Sequence, residues 1–239
     1  PQLRRDLGRL MHKSSKGSLK KLLGVAFNLI GQEETAELAD RIKDIGFSYA
    51  TRSGTSIAVS DLIVRYLERL GIDVIFGMPG AHVLPVYDSL FHSPVNTVLA
   101  KHEQGASFMA GGYARMAHRP AACIATAGPG ATNLITGFAD ANMDRAPMLV
   151  LTGQGSTRRL HKESHQIMDV VAMFEPVTKW ATSIVHPDTI PEIVRKAVRL
   201  SRTEKPGAIH IELPEDIAKL ESDAQPLVPR RYRRYVPDD

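Results

Sequence analysis

An α/β fold, a parallel six-stranded sheet flanked by helices with a small helical appendage ahead of it, is what this sequence predicts. Three observations predict it. From about Ser60 to about Leu220 helical and extended patterns alternate, an order that pairs strands in parallel through right-handed crossovers. Apolar runs such as Pro147 to Leu151 are nearly continuous, as in strands buried on both faces. Glycine-rich turns, Gly77-Met-Pro-Gly80 and Gly128-Pro-Gly130, follow two of the expected strands, and in an open parallel sheet the loops at strand carboxyl ends converge on one crevice.

Taken in order, Leu19, Leu22, Leu23, Ala26 and Phe27 recur at helical spacing. Ala36, Leu38, Ala39, Ile42 and Ile45 form a second such segment, stopped by Gly46. Residues 47–59, rich in Ser and Thr, read as extended or loop. Ser60 and Asp61 can cap a helix to about Leu70, with Leu62, Ile63, Tyr66, Leu67 and Leu70 on one face and Gly71 closing it. Strands are expected at Asp73 to Phe76, Val95 to Leu99, Pro120 to Ala125, Pro147 to Leu151, Val177 to Ala181 and Ala208 to Glu212. Between them lie helices through Val83 to Leu90, from Glu103 to about Ala117, from Ala131 to Asn142 and from Pro187 to Ser201. Thr157 to Ile167 is polar and reads as an exposed loop over the crevice. The expected domains are thus an appendage over 1–56, an α/β domain over 57–220 and a Pro- and Arg-rich linker over 221–239.

Composition narrows the class. A chain of 239 residues with 43% hydrophobic residues suits a globular core. The longest apolar runs are strand-sized rather than membrane-spanning, and the amino end shows no signal-peptide core. Its basic character is also compatible with an organelle transit segment, against which Asp6 and the lack of a cleavage pattern weigh. The single cysteine, Cys123, falls in an apolar strand, which points to a reduced, cytoplasmic setting. The net charge of +4 is concentrated in Arg4, Arg5, Arg9, Lys13, Lys16, Lys20 and Lys21 and in Arg230, Arg231, Arg233 and Arg234. Such runs are most often solvated, and no aromatic interleaving at the first cluster supports base stacking, which argues against nucleic acid.

Glu103 is the acid around which the motifs gather. It opens the helix that follows the second strand, and Gly105, Ala106, Ala110, Gly111 and Gly112 after it leave room for a second backbone or a flat ligand. Position alone makes it a solvated first-turn carboxylate favoured by the helix dipole; the neighbouring turns make it a candidate for directed chemistry. Other chemistries lack their motifs. Ala106 stands where a helical zinc site beginning at His102 needs a second histidine, the nine histidines show no other ligand spacing, and no Gly-x-Ser-x-Gly elbow occurs.

Two stretches resemble known families. Residues 14–62, above all Gly31 to Asp61 with Thr51-Arg-Ser-Gly54, are similar to a segment of the bacterial RNA polymerase beta-prime subunit. The acidic metal-binding loop of that family is absent, so no polymerase chemistry carries over; a joined reading frame or a chimera would explain the likeness, with convergence of helix-forming residues as the alternative. Residues 57–225 resemble the pyrimidine-binding domain of thiamine-diphosphate enzymes, most of all acetolactate synthases. The motifs Gly77-Met-Pro-Gly80, His102-Glu-Gln-Gly-Ala106, Gly112-Tyr-Ala-Arg115, Gly128-Pro-Gly-Ala-Thr-Asn-Leu134 and Thr152-Gly-Gln154 carry that resemblance in order.

The second resemblance implies that Glu103 hydrogen-bonds N1′ of the cofactor's aminopyrimidine and favours its imino tautomer, while the cofactor acts as electron sink for a 2-oxo acid such as pyruvate. It implies that Pro79, Gly80, Ala81 and Gly128 line the pyrimidine and that Gln166 lies near substrate, while Thr132 and Asn133 read by residue type as caps of the following helix rather than as substrate contacts. It further implies a homodimer or tetramer, with the helix after Glu103 at the subunit contact. His82 departs from the small residue usual in synthases. Histidine there occurs in 2-oxo acid decarboxylases, where it can act as acid or base near the reacting carbon, so decarboxylation stands as the alternative to carboligation. The family holds the diphosphate and Mg2+ at a Gly-Asp-Gly motif, which is absent here. Mg2+, FAD if used, and the diphosphate half are therefore expected from domains not present in this chain. The chain by itself is expected to be silent, and a non-catalytic fragment or interaction module is the remaining alternative.

Overall fold

The computed structural model describes residues 57–222 apart from His161 and Glu163, together with Ala224 and the helical positions Gly24, Ala26, Phe27, Gly31, Glu34, Thr35 and Leu38. The chain divides into two compact units, Pro1–Thr55 and Ser56–Asp239. Most of the two expected amino-terminal helices, the Ser- and Thr-rich stretch up to residue 56, most of the polymerase-like segment and both basic ends lie outside the described residues.

The second unit is an α/β/α sandwich. Its strands are β2 (Val74–Gly77), β3 (Asn96–Leu99), β4 (Ala121–Ala125), β5 (Met148–Gln154), β6 (Trp180–Ser183) and β7 (Ala208–Pro214). They pair in the order β3-β2-β4-β5-β7-β6, every pairing parallel, as the alternation of elements predicts. Outside this sheet, β1 (Ile57–Ala58) pairs antiparallel with β8 (Glu221–Ser222), a ribbon too short for any periodicity to announce.

Successive side chains of a strand point to opposite faces, and the two faces pack different helices. Ile75, Ile124, Leu149, Leu151, Ile209, Ile211 and Leu213 meet α1 (Val59–Arg69), α2 (Leu84–Phe91) and α7 (Ile190–Arg202) in one apolar cluster. Phe76, Ala121, Cys123, Ala125, Met148 and Val150 meet α3 (Glu103–Ala117), α4 (Pro129–Asn133), α5 (Ile135–Met143) and α6 (Val170–Phe174) in another. On this second face alanines at 106, 110 and 114 are buried, and α3 approaches α5 so closely that a Cβ placed on Gly137 would lie 2.1 Å from Ser107 Oγ.

Several local expectations change. Ala58, with no side-chain bond, stands at the start of α1, and Ser60 is buried within its first turn; Asp61 stays in that turn, where the helix dipole favours its charge. The helix expected over 131–142 is two, broken at Leu134. The strand expected at 177–181 begins at Trp180, because Glu175–Val177 form a 3-10 turn around Pro176.

The chain order creates a switch point. From β2 the chain crosses by α2 to β3 on one side, whereas β4, the neighbour of β2 on the other side, leads through α4 and α5 to β5. Connections leaving adjacent strands in opposite directions leave a crevice at their carboxyl ends, and the turns after β2 and β4 bound it.

Candidate active site

Glu103 is the first residue of α3 and is only 5% exposed, so it is not a solvated cap. The preceding residue caps the helix instead: His102 Nδ1 accepts from the Gln104 amide at 3.2 Å. One oxygen of the buried carboxylate is occupied, since Asn133 Nδ2 donates to Glu103 Oε2 at 3.0 Å. No hydrogen bond among the described residues reaches Oε1, which lies 3.3 Å from where a Cβ on Gly130 would stand. A buried carboxylate with one oxygen fixed and the other turned to a glycine can accept a proton-bearing group from a ligand.

Thr126, immediately after β4, joins the turns. Its Oγ1 is 3.1 Å from His82 Nδ1. A Cβ on Gly80 would come within 2.5 Å of Thr126 Cβ, and one on Gly130 within 2.8 Å of its Cγ2. Both glycines are thus required by close approach, and Thr126 is wedged between the turn after β2 and the turn after β4. Gly128 adopts φ 61, and a Cβ there would lie 2.9 Å from the backbone oxygen and Cβ of Gln166. The segment bearing Gln166 therefore rests on the Gly128 turn, with Gln166 half-buried rather than free in solvent.

His82, in a 3-10 turn ahead of α2, is half-buried over Gly153. Burial holds its pKa below the ordinary value, helped by His165, Lys219 and Arg159 and opposed by Glu215; at pH 7 its ring is neutral and can accept a proton. Pro79 and Ala81 are exposed at the rim. Among the described residues no cluster of His, Cys, Asp or Glu could hold a metal ion, and no helix is long and apolar enough to cross a membrane.

Two contributors were not legible as such. Asn133 reads as a helix-capping residue yet bonds Glu103, thirty positions away in sequence. Thr126 has only its place as the first polar residue after an apolar strand to mark it.

Residues 57–173 match the family model described as the thiamine pyrophosphate enzyme N-terminal TPP binding domain. The matched segment begins at β1 and ends in α6, so it holds Glu103, Asn133, Thr126, both glycine turns and Gln166. Residues 6–62 match a second model, RNA polymerase Rpb1 domain 3. Among curated proteins the chain is 45% identical over 162 residues to the acetolactate synthase large subunit of Corynebacterium glutamicum, covering 67% of this chain and 26% of that protein. It is 42% identical over 164 residues to a probable acetolactate synthase large subunit of Methanococcus aeolicus, covering 69% and 27%. With the isozyme 1 large subunit of Escherichia coli it shares 38% over 172 residues, covering 71% and 31%. The chain thus spans between a quarter and a third of the length of these relatives.

Proposed function

We propose that this chain is the pyrimidine-binding portion of an acetolactate-synthase-type enzyme that acts on 2-oxo acids such as pyruvate with thiamine diphosphate. The observation that carries this reading is Glu103, buried, tethered through Oε2 and open at Oε1. That arrangement fits an aminopyrimidine, because a flat ring needs a backbone without side chains beside it, which the glycine turns supply, and a ring nitrogen that exchanges a proton needs a fixed carboxylate. Bound thiamine diphosphate would supply the electron sink for loss of carbon dioxide from the 2-oxo acid.

This chain's own part is narrower. Glu103 Oε1 accepts the hydrogen bond of N1′ and holds a proton there; Asn133 keeps the other oxygen occupied so that only one faces the ring. Pro79, Gly80, Ala81 and Gly128 border the ring, Gln166 offers an amide toward substrate, and His82, neutral at pH 7, offers a proton acceptor beside Thr126. The sequence contains no Gly-Asp-Gly, so the reading assigns the diphosphate, Mg2+ and any FAD to residues outside these 239. It also assigns a second copy of the chain, in a homodimer or tetramer, to the outer side of α3, where Phe108, Met109 and Met116 are exposed and Gly105 and Gly112 face open space. A cytoplasmic setting accords with Cys123 being buried and free.

A graft tests the reading. Residues 57–222 replace the matched segment of the Corynebacterium glutamicum relative, and the purified hybrid is given pyruvate, thiamine diphosphate and Mg2+. Acetolactate should form, and Glu103→Gln should cut the rate by about a hundred-fold or more. Free acetaldehyde as the product would favour the decarboxylase reading, for which His82 beside Thr126 is the supporting observation. A Glu103→Gln hybrid as active as its parent would sink both. The 239-residue chain alone should show no turnover.

A further inference from the structure

The carboxyl halves of β5 and β7 break the apolar rule of the sheet. On the face toward α6, Thr152, Gln154, His210 and Glu212 follow Val150 and Ala208, and all four are buried. Thr152 Oγ1 pairs with His210 Nε2 at 2.8 Å. Gln154 is used more fully: Nε2 donates to Glu212 Oε2 at 2.9 Å and to the Met168 carbonyl at 2.8 Å, while Oε1 accepts from the Gly155 amide at 2.9 Å. Glu212 also bonds the Ser183 hydroxyl on β6, and burial raises its pKa against the pull of those two bonds.

A buried carboxylate with no cation beside it costs stability unless its bonds hold something in place. What these bonds reach is the returning limb of the 155–169 loop. Met168 is held through its carbonyl by Gln154. Ile167 presses on Gly155, where a Cβ would lie 2.9 Å from its side chain, and Gln166 rests on Gly128. Three consecutive residues are therefore seated at three points, of which the first alone is polar and directional. Contacts against glycine permit sliding; an amide NH2 that gives one hydrogen to a carbonyl and the other to a carboxylate does not.

We infer that Gln154 and Glu212 are positioning residues, a buried clamp that sets the register of the 155–169 loop and so places Gln166 against the Gly128 turn. Gln154 is the jaw that grips the loop, and Glu212, held by Ser183, orients the jaw. The purpose of the clamp rests on the proposed function, but its existence does not.

The loop carries its own reporters. Arg158, Arg159 and Lys162 are exposed, so trypsin cuts it whenever it opens, while exposed Arg145 in the α5–β5 turn serves as a reference site. In the 239-residue chain, Gln154→Leu and Glu212→Leu should each raise cleavage at 158–162 relative to Arg145 by about ten-fold or more, the effect of losing a buried hydrogen bond on local opening. Glu212→Gln keeps an acceptor for Gln154 and a partner for Ser183, and should cleave like the parent. Equal acceleration at Arg145 and in the loop, or none at either, would overturn the clamp, as would Glu212→Gln behaving like Glu212→Leu. Should the leucine variants not fold, hydrogen exchange on the unaltered chain decides instead: the Gly155 amide must exchange far more slowly than that of Arg158, and equal rates would overturn the inference. A graft that fails to use thiamine diphosphate leaves the cleavage pattern untouched, and a uniform cleavage pattern leaves the Glu103 reading untouched.

Discussion

The two faces of the sheet do different work with different residues. One packs Ile75, Ile124, Leu149, Leu151, Ile209, Ile211 and Leu213 against the branched aliphatics of α1, α2 and α7. The other packs Ala121, Cys123 and Ala125 against the alanines of α3, then turns polar at Thr152, Gln154, His210 and Glu212. Large aliphatic side chains stabilise in proportion to the apolar area they remove from water. Small ones contribute less area but let backbones approach, and the face they build holds Glu103, Asn133 and the buried clamp. The larger apolar side chains are concentrated on one side of the sheet, and Glu103, Asn133 and the buried polar residues of β5 and β7 on the other.

Substitutions can break that contrast, beginning where the loss should be largest. Leu62→Ala empties a fully buried position on the aliphatic face and should cost about 2–5 kcal/mol in a denaturant titration. Gly137→Ala overfills the small-residue face, where its Cβ would meet Ser107; the expected cost is about 1–3 kcal/mol, partly restored by adding Ser107→Gly. If the glycine change costs nothing, the close α3–α5 approach is wrong.

Titration sharpens the comparison further. His210, fully buried, stacks on Phe174 with ring centroids 4.3 Å apart, and its Nδ1 has no hydrogen-bond partner among the described residues. Burial pushes its pKa from 6.5 down to about 3. Between those values the unfolded chain binds a proton that the folded chain refuses, so stability falls as pH drops below about 6.5, by up to about 1.4 kcal/mol per pH unit, and this loss levels off near pH 3. His210→Leu should be less stable at neutral pH yet show an acid limb shallower by about one proton. An unchanged limb would mean that the buried imidazole does not contribute. The smallest effect on stability belongs to Asn133→Ala. It should shift the unfolding midpoint less than Leu62→Ala while slowing the grafted enzyme by about ten-fold, the worth of a hydrogen bond to a charged group.

Much of the site was legible because its parts are local. Gly80, Gly128 and Glu103 announce themselves by short motifs at strand ends, and strand ends of a parallel sheet share one crevice. Asn133 was legible as a residue but not in its role, since helix capping is decided within a few positions whereas its bond to Glu103 spans thirty. Nothing local in the sequence sets the orientation of His82, and the 3.1 Å approach of its ring to Thr126 turns it inward. Leu134 breaks a helix that the apolar pattern alone would continue.

By itself the sequence determined the class of the second unit. Apolar runs alternating with amphipathic segments can bury their faces only as a parallel sheet covered by helices, and that pattern is carried by neighbouring residues. Which strands lie side by side, and hence that Thr126 stands between Gly80 and Gly130 and that Gln154 meets Glu212, was decided by tertiary structure. The Gly80–Thr126 and Gln154–Glu212 contacts join residues far apart in the chain, and the distances between them are set by packing rather than by any local preference of the backbone.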